Sequence, residues 1–401
     1  MTQQLLIAGS GFAGTWAAIA AARARALAER EAAVAITVVS PAPELHIRPR
    51  FYEASLEGMA PDVSGLFEAI GVTHVAGRVE RLTADARELE VVDARGARSR
   101  LRWDRLVLAT GSVLFRPELP GLAAHAFDVD QLAHAQRLDA HLKSLSSRPA
   151  STARSTVVVA GGGFTGIEAA CDMPARLRAV LGERAEVRVV MVEQAPSVGP
   201  DLGPGPRPVI LEALAACGVE AITGVGVAAI DADGVTLTDG RHIAAATVVW
   251  TAGARAQPLA AQVPGEHDRY GRVAVDAHLR APQAPTVFVT GDLARAAVDD
   301  EGRDALMSCQ HALSLGRVAG YNAAADLLQL PLHAYRQPKY VTCLDLGPWG
   351  AVFTEGWDRQ VQLRGAEAKA LKRDINTKWI YPPTDRATAF ELGAPDHVIV
   401  A

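Results

Sequence analysis

The chain has 401 residues, of which 49% are hydrophobic and 21% charged, and its net charge is −5. This length predicts two or three domains that each bury a core, and the lack of a basic excess excludes nucleic acid as the expected partner. No apolar run approaches the ~20 residues that a membrane-spanning helix needs, and the N-terminus MTQQLLIAGSG lacks the basic start of a signal peptide. We therefore expect a cytoplasmic protein with no transmembrane span.

The chain opens with a strand, a glycine turn and an Ala-rich helix, and the next strand, AITVVS, ends at Ser40. The turn contains the glycines of a GxGxxG motif: Gly9, Gly11 and Gly14. The first glycine permits the tight turn, the second admits a pyrophosphate, and the third allows close packing of helix on strand. Because the motif follows a strand and opens a helix, we interpret it as a dinucleotide site rather than a purely structural turn.

Two segments rich in turn formers, 117–125 and 145–155, are the candidate linkers that follow this unit. Between them, residues 128–145 show the apolar periodicity of an amphipathic helix. We therefore expect the first unit to end in this region and a second unit to begin after residue 155.

The second unit repeats the plan of the first. Its turn has the same three glycines: Gly161, Gly163 and Gly166. Its second strand ends at Glu193, whose carboxylate suits a ribose 2′-hydroxyl and repels a 2′-phosphate, which favours NADH over NADPH. Alternatively, Glu193 is only a solvated strand end. Two units of this kind at similar spacing predict an α/β fold with two Rossmann-like dinucleotide-binding domains.

Three further apolar strands end in glycine-containing turns. LVLA leads into Thr110 and Gly111, VVWTA leads into Gly253, and VFVT leads into Gly291 and Asp292. A carboxylate at the carboxyl end of a parallel strand points at the ligand crevice, where it can bind sugar or ribityl hydroxyls. A helix cap or an Asx turn is an alternative role for Asp292 and is compatible with the first.

The C-terminal part has a different pattern. A helix is predicted to begin near residues 307–310, and from about residue 333 two strands flank a turn at 347–350. A short basic helix, AEAKALKRDIN, is predicted after them.

The four cysteines are far apart in the sequence: Cys171, Cys217, Cys309 and Cys343. Zinc ribbons and redox dithiols need closely spaced pairs, because two sulfurs must reach one metal or each other. We therefore expect no metal site and mainly buried, reduced thiols.

Five motifs in this order, GSGFAG, LVLATGS, GGGFTGIE, VVWTAG and VFVTGD, resemble the pyridine-nucleotide-disulfide oxidoreductase superfamily of two-dinucleotide-binding flavoproteins. The resemblance covers roughly residues 4–325 and is closest to type II NADH dehydrogenases, which reduce quinones. It implies FAD and NAD(H) as cofactors, a discontinuous FAD-binding domain at 1–125 and 280–330, and an NAD(H)-binding domain at 150–279. Residues 331–401 are then expected to form a small C-terminal α+β domain that serves an interface or the acceptor.

The resemblance also implies roles for single residues. Glu168 matches a glutamate near the nicotinamide, Gln310 lies in a stretch similar to the AQxA sequence near flavin and quinone, and Tyr340 opens the C-terminal region. His311 either takes part in acceptor protonation or is a surface or interface histidine. Arg48 either neutralises the FAD pyrophosphate or attracts an acidic acceptor, and a solvated role is equally compatible with the sequence.

Three departures from the family pattern bear on function. Ser40 stands where the family usually has an acidic residue for the FAD ribose, so either Ser40 or nearby Glu44 is expected to bind it. The segment 46–58 contains no cysteine, which excludes the dithiol relay of the disulfide reductases and a single-cysteine mechanism. Ser314 replaces the second glutamine of AQxAxQ, which leaves the acceptor open.

We therefore expect an FAD-dependent NADH oxidoreductase that passes a hydride from NADH to FAD and then reduces a quinone or another small acceptor. The alternatives are a reductase of a ferredoxin- or rubredoxin-type protein and a sulfide:quinone-type flavoprotein, the latter suggested by Cys171 and Cys343. A non-catalytic NAD sensor is a further alternative. The resemblance is compatible with peripheral membrane contact and with a homodimer.

Overall fold

The computed structural model describes residues 2–398 of the chain. Within these residues, a largely parallel sheet, here called the N-terminal sheet, forms from short apolar runs. In spatial order its strands are Arg280–Ala281, Ala284–Val289, Arg105–Leu108, Gln3–Ala8, Val34–Ser40 and Thr73–Ala76. All neighbours pair in parallel except Arg280–Ala281, which is antiparallel to the next strand. The sheet thus combines segments from before residue 125 and from residue 280 onward.

Helices Phe12–Leu27 and Cys309–Leu328 pack on this sheet and against each other. Their backbones approach closely because small residues line the contact. A Cβ added at Gly320 would lie 2.0 Å from the carbonyl oxygen of Ala17, so only glycine fits there. The packing places the beginning of the second helix near the first glycine turn.

A second sheet, here called the central sheet, is parallel throughout. In spatial order its strands are Val219–Thr223, Arg188–Glu193, Thr156–Ala160, Thr247–Trp250 and Ala126–Phe127. The helices that accompany it are Leu132–Ser144, Phe164–Leu181 and Arg207–Cys217. The helix predicted in 128–145 is confirmed. Its apolar side, with Ala135, Leu138 and Leu142, is buried.

Smaller antiparallel sheets border the two main ones. One contains Arg78–Thr83, Glu88–Val92 and Arg98–Arg102, and another contains Val227–Ile230, Gly234–Leu237 and His242–Ala244. Ser112–Leu114 pairs with Ala254–Ala256 and so connects the two halves of the molecule directly. Val273–Ala274 pairs in parallel with Ala294–Arg295, and short helices lie at Ser64–Ala69 and Leu122–His125.

The C-terminal region is a small antiparallel sheet with helices. Its strands are Val341–Asp345, Ala351–Glu355 and Gln360–Arg364, and its helices are Gly365–Asp374 and Arg386–Leu392, with a π-helical turn at Ile375–Trp379. The two predicted strands and the basic helix are confirmed. The strand Gln360–Arg364 was not predicted, because its polar residues are exposed and give it little apolar signal. None of the helices in the described part of the chain has the length and apolar character that crossing a membrane requires.

Candidate functional site

The first glycine turn has two glycines that the fold requires and one that it leaves free. Gly9 has a φ of +110°, and a Cβ there would lie 2.5 Å from the carbonyl oxygen of Ala109. A Cβ at Gly14 would lie 1.9 Å from the carbonyl oxygen of Gly9. By contrast, a Cβ added at Gly11 would have no atom of residues 2–398 within 4 Å apart from those of Gly11 and its immediate chain neighbours. Gly11 therefore borders open space of the kind that a pyrophosphate needs.

The second glycine turn repeats this geometry. Gly161 has a φ of +115°, and a Cβ at Gly166 would lie 1.8 Å from the carbonyl oxygen of Gly161. A Cβ at Gly163 would have no atom of the described chain within 4 Å apart from its immediate chain neighbours. Gly11 and Gly163 are the N-cap residues of their helices. Since glycine has no capping side chain, the first amides of each helix and its positive dipole end face the open space. Both turns are thus suited to bind an anion.

Glu193 lies against the second turn. One carboxylate oxygen accepts a hydrogen bond from the amide of Gly162 at 2.7 Å, and the other accepts from the amide of Ala195 at 2.7 Å. The residue is buried. These two contacts fix a negative charge at the end of the strand, beside the turn, where the sequence placed it.

Ser40 and Glu44, the two candidates for the FAD ribose, differ in their contacts. The Ser40 hydroxyl is buried, donates to the carbonyl oxygen of Ala42 at 2.6 Å, and lies 2.9 Å from Nε2 of His74. The Glu44 side chain is 43% exposed and lies 3.1 Å from Nε2 of His46. Of the two side chains, that of Glu44 is the more accessible, and it carries a carboxylate.

A polar cluster at the carboxyl end of the N-terminal sheet brings Arg48 and Asp292 together. The Ser112 hydroxyl donates to Asp292 Oδ2 at 2.5 Å and accepts from Arg48 Nη1 at 3.2 Å. Arg48 Nη1 lies 3.9 Å from Asp292 Oδ2, and its guanidinium also pairs with Asp130. Sequence reasoning missed Asp130, because it belongs to no motif. It missed the role of Ser112 although this serine ends the LVLATGS motif.

The glycines that end the later strands all have left-handed backbone conformations. The φ angles are +73° at Gly111, +82° at Gly253 and +64° at Gly291. Such conformations favour glycine and let each strand turn sharply at the sheet edge. The turns themselves are therefore explained by the backbone.

Several buried polar atoms near the carboxyl end of the N-terminal sheet have no hydrogen-bond partner in residues 2–398. They are Oγ1 of Thr110, Oγ1 of Thr290 and Oε1 of Gln310. Buried polar atoms normally have a protein or water partner, and orphaned ones indicate a bound group or water. The sequence had singled out Thr110 and Gln310 for a cofactor or acceptor site.

The helix Cys309–Leu328 begins at the predicted position because Ser308 caps it. The Ser308 hydroxyl accepts from the amide of His311 at 3.3 Å and lies 2.9 Å from its Nδ1. His311 is fully buried, so it is not a surface residue, and its ring stacks on Tyr340 with centroids 5.2 Å apart. Tyr340 in turn stacks on Trp357. Burial lowers the pKa of His311 to about 4, which keeps the imidazole neutral at pH 7.

Glu168 forms a buried ion pair that the sequence did not reveal. Its Oε1 accepts from Lys372 Nζ at 2.8 Å and from the amide of Asp345 at 3.1 Å. Burial raises the pKa of Glu168 although Lys372 opposes this, and the Glu168 carboxylate raises the pKa of Lys372 although burial opposes it. The carboxyl group of Glu168 and the ammonium group of Lys372 therefore each hold a proton more tightly than the same group does in water.

The four cysteines, all within the described residues, are free thiols. The Cys217 thiol, which donates to the carbonyl oxygen of Leu346 at 3.5 Å, is close to Cys171, and its proximity together with burial raises the pKa of Cys171. Sequence spacing gave no sign of this proximity, because the two thiols are on different helices of the central sheet.

The sequence matches the family described as pyridine nucleotide-disulphide oxidoreductase over residues 3–316. The chain belongs to this family. An NADH dehydrogenase-like protein of Mycobacterium tuberculosis is 48% identical over 394 residues, which cover 98% of this chain and 97% of that protein. A demethylphylloquinone reductase of Synechocystis is 28% identical over 365 residues, which cover 88% and 86%. The predicted resemblance to NADH dehydrogenases is confirmed.

The fold is also that of a known structure. NDH2 from Plasmodium falciparum, solved in complex with NADH, superposes with a TM-score of 0.79 at 11% identity and covers 100% of both chains. The predicted α/β fold with two dinucleotide-binding units is confirmed, and membership of the family supports the predicted cofactors, FAD and a pyridine nucleotide. The protein is an NAD(P)H-dependent oxidoreductase. The open space at Gly11 and Gly163 and the orphaned Thr110 hydroxyl fit these cofactors.

Proposed function

We propose that the protein transfers electrons from NADH to a quinone by way of bound FAD. The observation that carries this proposal is the pair of glycine turns. In each turn the middle glycine borders open space, and the helix that follows has no capping side chain at its N-terminus. Two such sites at the carboxyl ends of two parallel sheets suit two dinucleotides. When bound, FAD accepts a hydride from NADH and passes the electrons on.

We assign FAD to the N-terminal sheet and NADH to the central sheet. We assign to Arg48 the neutralisation of the FAD pyrophosphate, to Asp292 the acceptance of hydrogen bonds from the ribityl hydroxyls, and to Glu44 the binding of the ribose. We assign to Glu193, which is fixed beside the second turn, the acceptance of hydrogen bonds from the NADH ribose and the repulsion of the 2′-phosphate of NADPH. We assign to Gln310, on the first turn of the helix Cys309–Leu328 and with an orphaned Oε1, contact with the flavin or the acceptor.

A quinone is favoured over an iron–sulfur protein by the Glu168–Lys372 pair. An iron–sulfur protein takes up electrons alone and needs no proton donor inside the reductase. A quinone takes up protons as well, and Glu168 lies one turn into the helix that begins at the second glycine turn, paired with Lys372 in a buried environment. The name of the Synechocystis relative, a demethylphylloquinone reductase, supports the same acceptor class.

The sulfide-oxidising alternative rested on Cys171 and Cys343. The fully buried Cys171 has Cys217 as its neighbour, and the Cys343 thiol is directed at the carbonyl oxygen of Ala368 at 3.8 Å. The contacts of the two thiols therefore give no support to a sulfur-relaying pair. The cytoplasmic location and a homodimer stay predictions.

Anaerobic stopped-flow experiments test the proposal in two half-reactions. NADH is expected to bleach the flavin faster than NADPH does, and 2-methyl-1,4-naphthoquinone is expected to restore its absorbance faster than a ferredoxin, a rubredoxin or molecular oxygen does. Gln310→Ala should slow the second step only, and Gln360→Ala, at an exposed strand position, serves as its control. A wild-type protein that is bleached by NADH but reoxidised only by a ferredoxin would refute the quinone assignment.

A further inference from the structure

Quinone reduction requires one proton that NADH does not supply. The quinone takes up two electrons and two protons, NADH provides two electrons and one proton, and the balance is NADH + H⁺ + quinone → NAD⁺ + quinol. Glu168 is only 6% exposed, and its described contacts are Lys372 and the amide of Asp345. A proton that leaves this pair must therefore be replaced from solvent through the interior.

One face of the helix Phe164–Leu181 carries charged groups at regular intervals. Glu168, Asp172 and Arg176 are four residues apart, so they lie on successive turns of the same face. Arg176 is buried and donates to the carbonyl oxygen of Tyr52 at 2.9 Å. The segment with Tyr52 therefore covers this face. Charged side chains are seldom buried unless they are paired, and buried titratable groups with charged partners cluster at functional sites.

Two polar atoms on this covered face are orphaned. Oδ2 of Asp172 and the hydroxyl of Tyr52 are buried and have no hydrogen-bond partner among the described residues. Tyr52 is 4% exposed, whereas Asp172 is half-buried, so the carboxyl group of Asp172 reaches inward while its residue borders solvent. Such atoms are normally satisfied by internal water.

Charged groups from each neighbouring element surround Asp172. Those that act on Asp172 directly are Arg176 on its own helix, Glu53 beside Tyr52, and Asp345 and Lys369 in the C-terminal region. Glu168 acts on Tyr52, and Asp139, on the helix Leu132–Ser144, acts on Arg176. Burial raises the pKa of Asp172 to about 6, although Arg176 opposes the change. A carboxyl group with this pKa both releases and rebinds a proton near neutral pH.

We infer that Asp172 and Tyr52, with internal water, relay the solvent proton to Glu168. Asp172 takes the proton at the surface, and the Tyr52 hydroxyl, which can accept one proton while donating another, extends the path inward. The spacing of about 5–6 Å between residues four apart on a helix is bridged by water. Asp172 and Tyr52 are positioning residues for Glu168, and their role rests on the proposed quinone reduction.

The test compares Asp172→Asn with Asp139→Asn. Asp139 also faces Arg176, at 3.6 Å, so its variant removes a carboxylate beside the same guanidinium without interrupting the path. Asp172→Asn is expected to slow reoxidation by 2-methyl-1,4-naphthoquinone at least about tenfold. Bleaching by NADH should stay unchanged. Reoxidation by hexacyanoferrate(III), which takes electrons without protons, should also stay unchanged.

The pH profile separates a relay from a packing effect. In the wild type the rate of flavin reoxidation by the quinone is expected to fall as the pH rises through about 6. Asp172→Glu should show the same fall at a shifted pH. Asp172→Asn should show no such fall. Tyr52→Phe should slow the same step. If the wild type reduces the quinone and Asp172→Asn behaves like Asp139→Asn, the relay is wrong. If the wild type does not reduce the quinone, the proposed function fails first.

A measurement without turnover checks Asp172 itself. Its pKa is raised on folding from the usual 3.8 to about 6, so the protonated form is favoured in the folded state. The stability that this group adds is present below pH 4 and is lost as the pH rises to about 6. The free energy of unfolding of the wild type, relative to Asp172→Asn, should fall over that range. A constant difference from pH 4 to pH 7 would contradict the assignment.

Discussion

Lys372 Nζ lies 2.8 Å from Glu168 Oε1, and this contact joins two helices whose residues are 204 positions apart in the chain. The same ammonium group donates to the carbonyl oxygen of Cys343 at 3.0 Å. Both charged side chains are less than a tenth exposed. The C-terminal helix is thereby linked to the helix that begins at the second glycine turn.

Lys372→Met should destabilise the protein by about 3–5 kcal/mol, because it leaves the Glu168 carboxylate buried and unpaired. The double variant Lys372→Met/Glu168→Gln should recover much of this loss, since no charge is then left alone. Urea unfolding of the wild type, both single variants and the double variant gives the coupling free energy between Lys372 and Glu168. Lys378→Met, which removes an exposed pair with Asp374, should cost less than about 1 kcal/mol. Equal losses in the two lysine variants would show that the buried pair is unimportant.

Gly11→Val should yield a folded but colourless protein. A Cβ at this position has no atom of the described chain within 4 Å apart from its immediate neighbours, and the φ of −66° suits any residue, so we expect the fold to tolerate the valine while the pyrophosphate space is filled. Gly14→Ala should instead destabilise the fold by about 3 kcal/mol, since its Cβ would overlap the carbonyl oxygen of Gly9. Flavin absorbance per protein and thermal unfolding separate the two effects. A yellow Gly11→Val protein with full FAD content would contradict the site.

Glu193→Gln should raise the rate of flavin reduction by NADPH relative to NADH by about tenfold, or about 1.4 kcal/mol. The amide oxygen of glutamine still accepts from the amide of Gly162 or Ala195, so the turn is kept while the charge that repels a 2′-phosphate is removed. Glu220→Gln on the neighbouring strand is the matched control. A wild type that uses both nucleotides equally would show that Glu193 does not select between them.

Cys171→Ala and Cys343→Ala should both keep FAD and near wild-type reduction of the flavin by NADH. Their thiols are free and no described contact makes them a pair. Turnover with NADH and a dye is measured alongside reduction of a quinone by sulfide. Loss of dye turnover in either variant, with FAD still bound, would favour the sulfide-oxidising alternative.

His311 should make the protein sensitive to mild acid. Its pKa falls on folding from 6.5 to about 4, so the unfolded chain binds the extra proton first. The contribution of neutral His311 to the free energy of unfolding is complete above pH 6.5, and about 3 kcal/mol of it is lost as the pH falls toward 4. His311→Phe, which keeps a ring against Tyr340, should lose less over this range, whereas a variant at exposed His242 should follow the wild type. Parallel urea titrations at pH 7 and pH 4 provide the comparison.

The two nucleotide-binding units could be predicted from sequence because their signals are local. Gly9 has a φ of +110° in the turn itself, Gly14 packs on the carbonyl oxygen of Gly9 in the same strand–turn–helix unit, and the strand before them is a short apolar run. The end of a strand fixes the position of Glu193 at the sheet edge in the same way. Backbone sterics and the direction of parallel strands act over a few residues, so a motif carries the geometry with it.

Contacts between distant segments were decided only by the tertiary structure. The pairing of Glu168 with Lys372, the approach of Cys171 to Cys217, and the burial of His311 against Tyr340 all depend on how the C-terminal region and the two sheets pack. A lone lysine or histidine on a helix has the same local sequence whether it faces solvent or a buried carboxylate. Desolvation and pairing, which set the charge of these groups, are properties of the packed interior and have no counterpart in the local sequence.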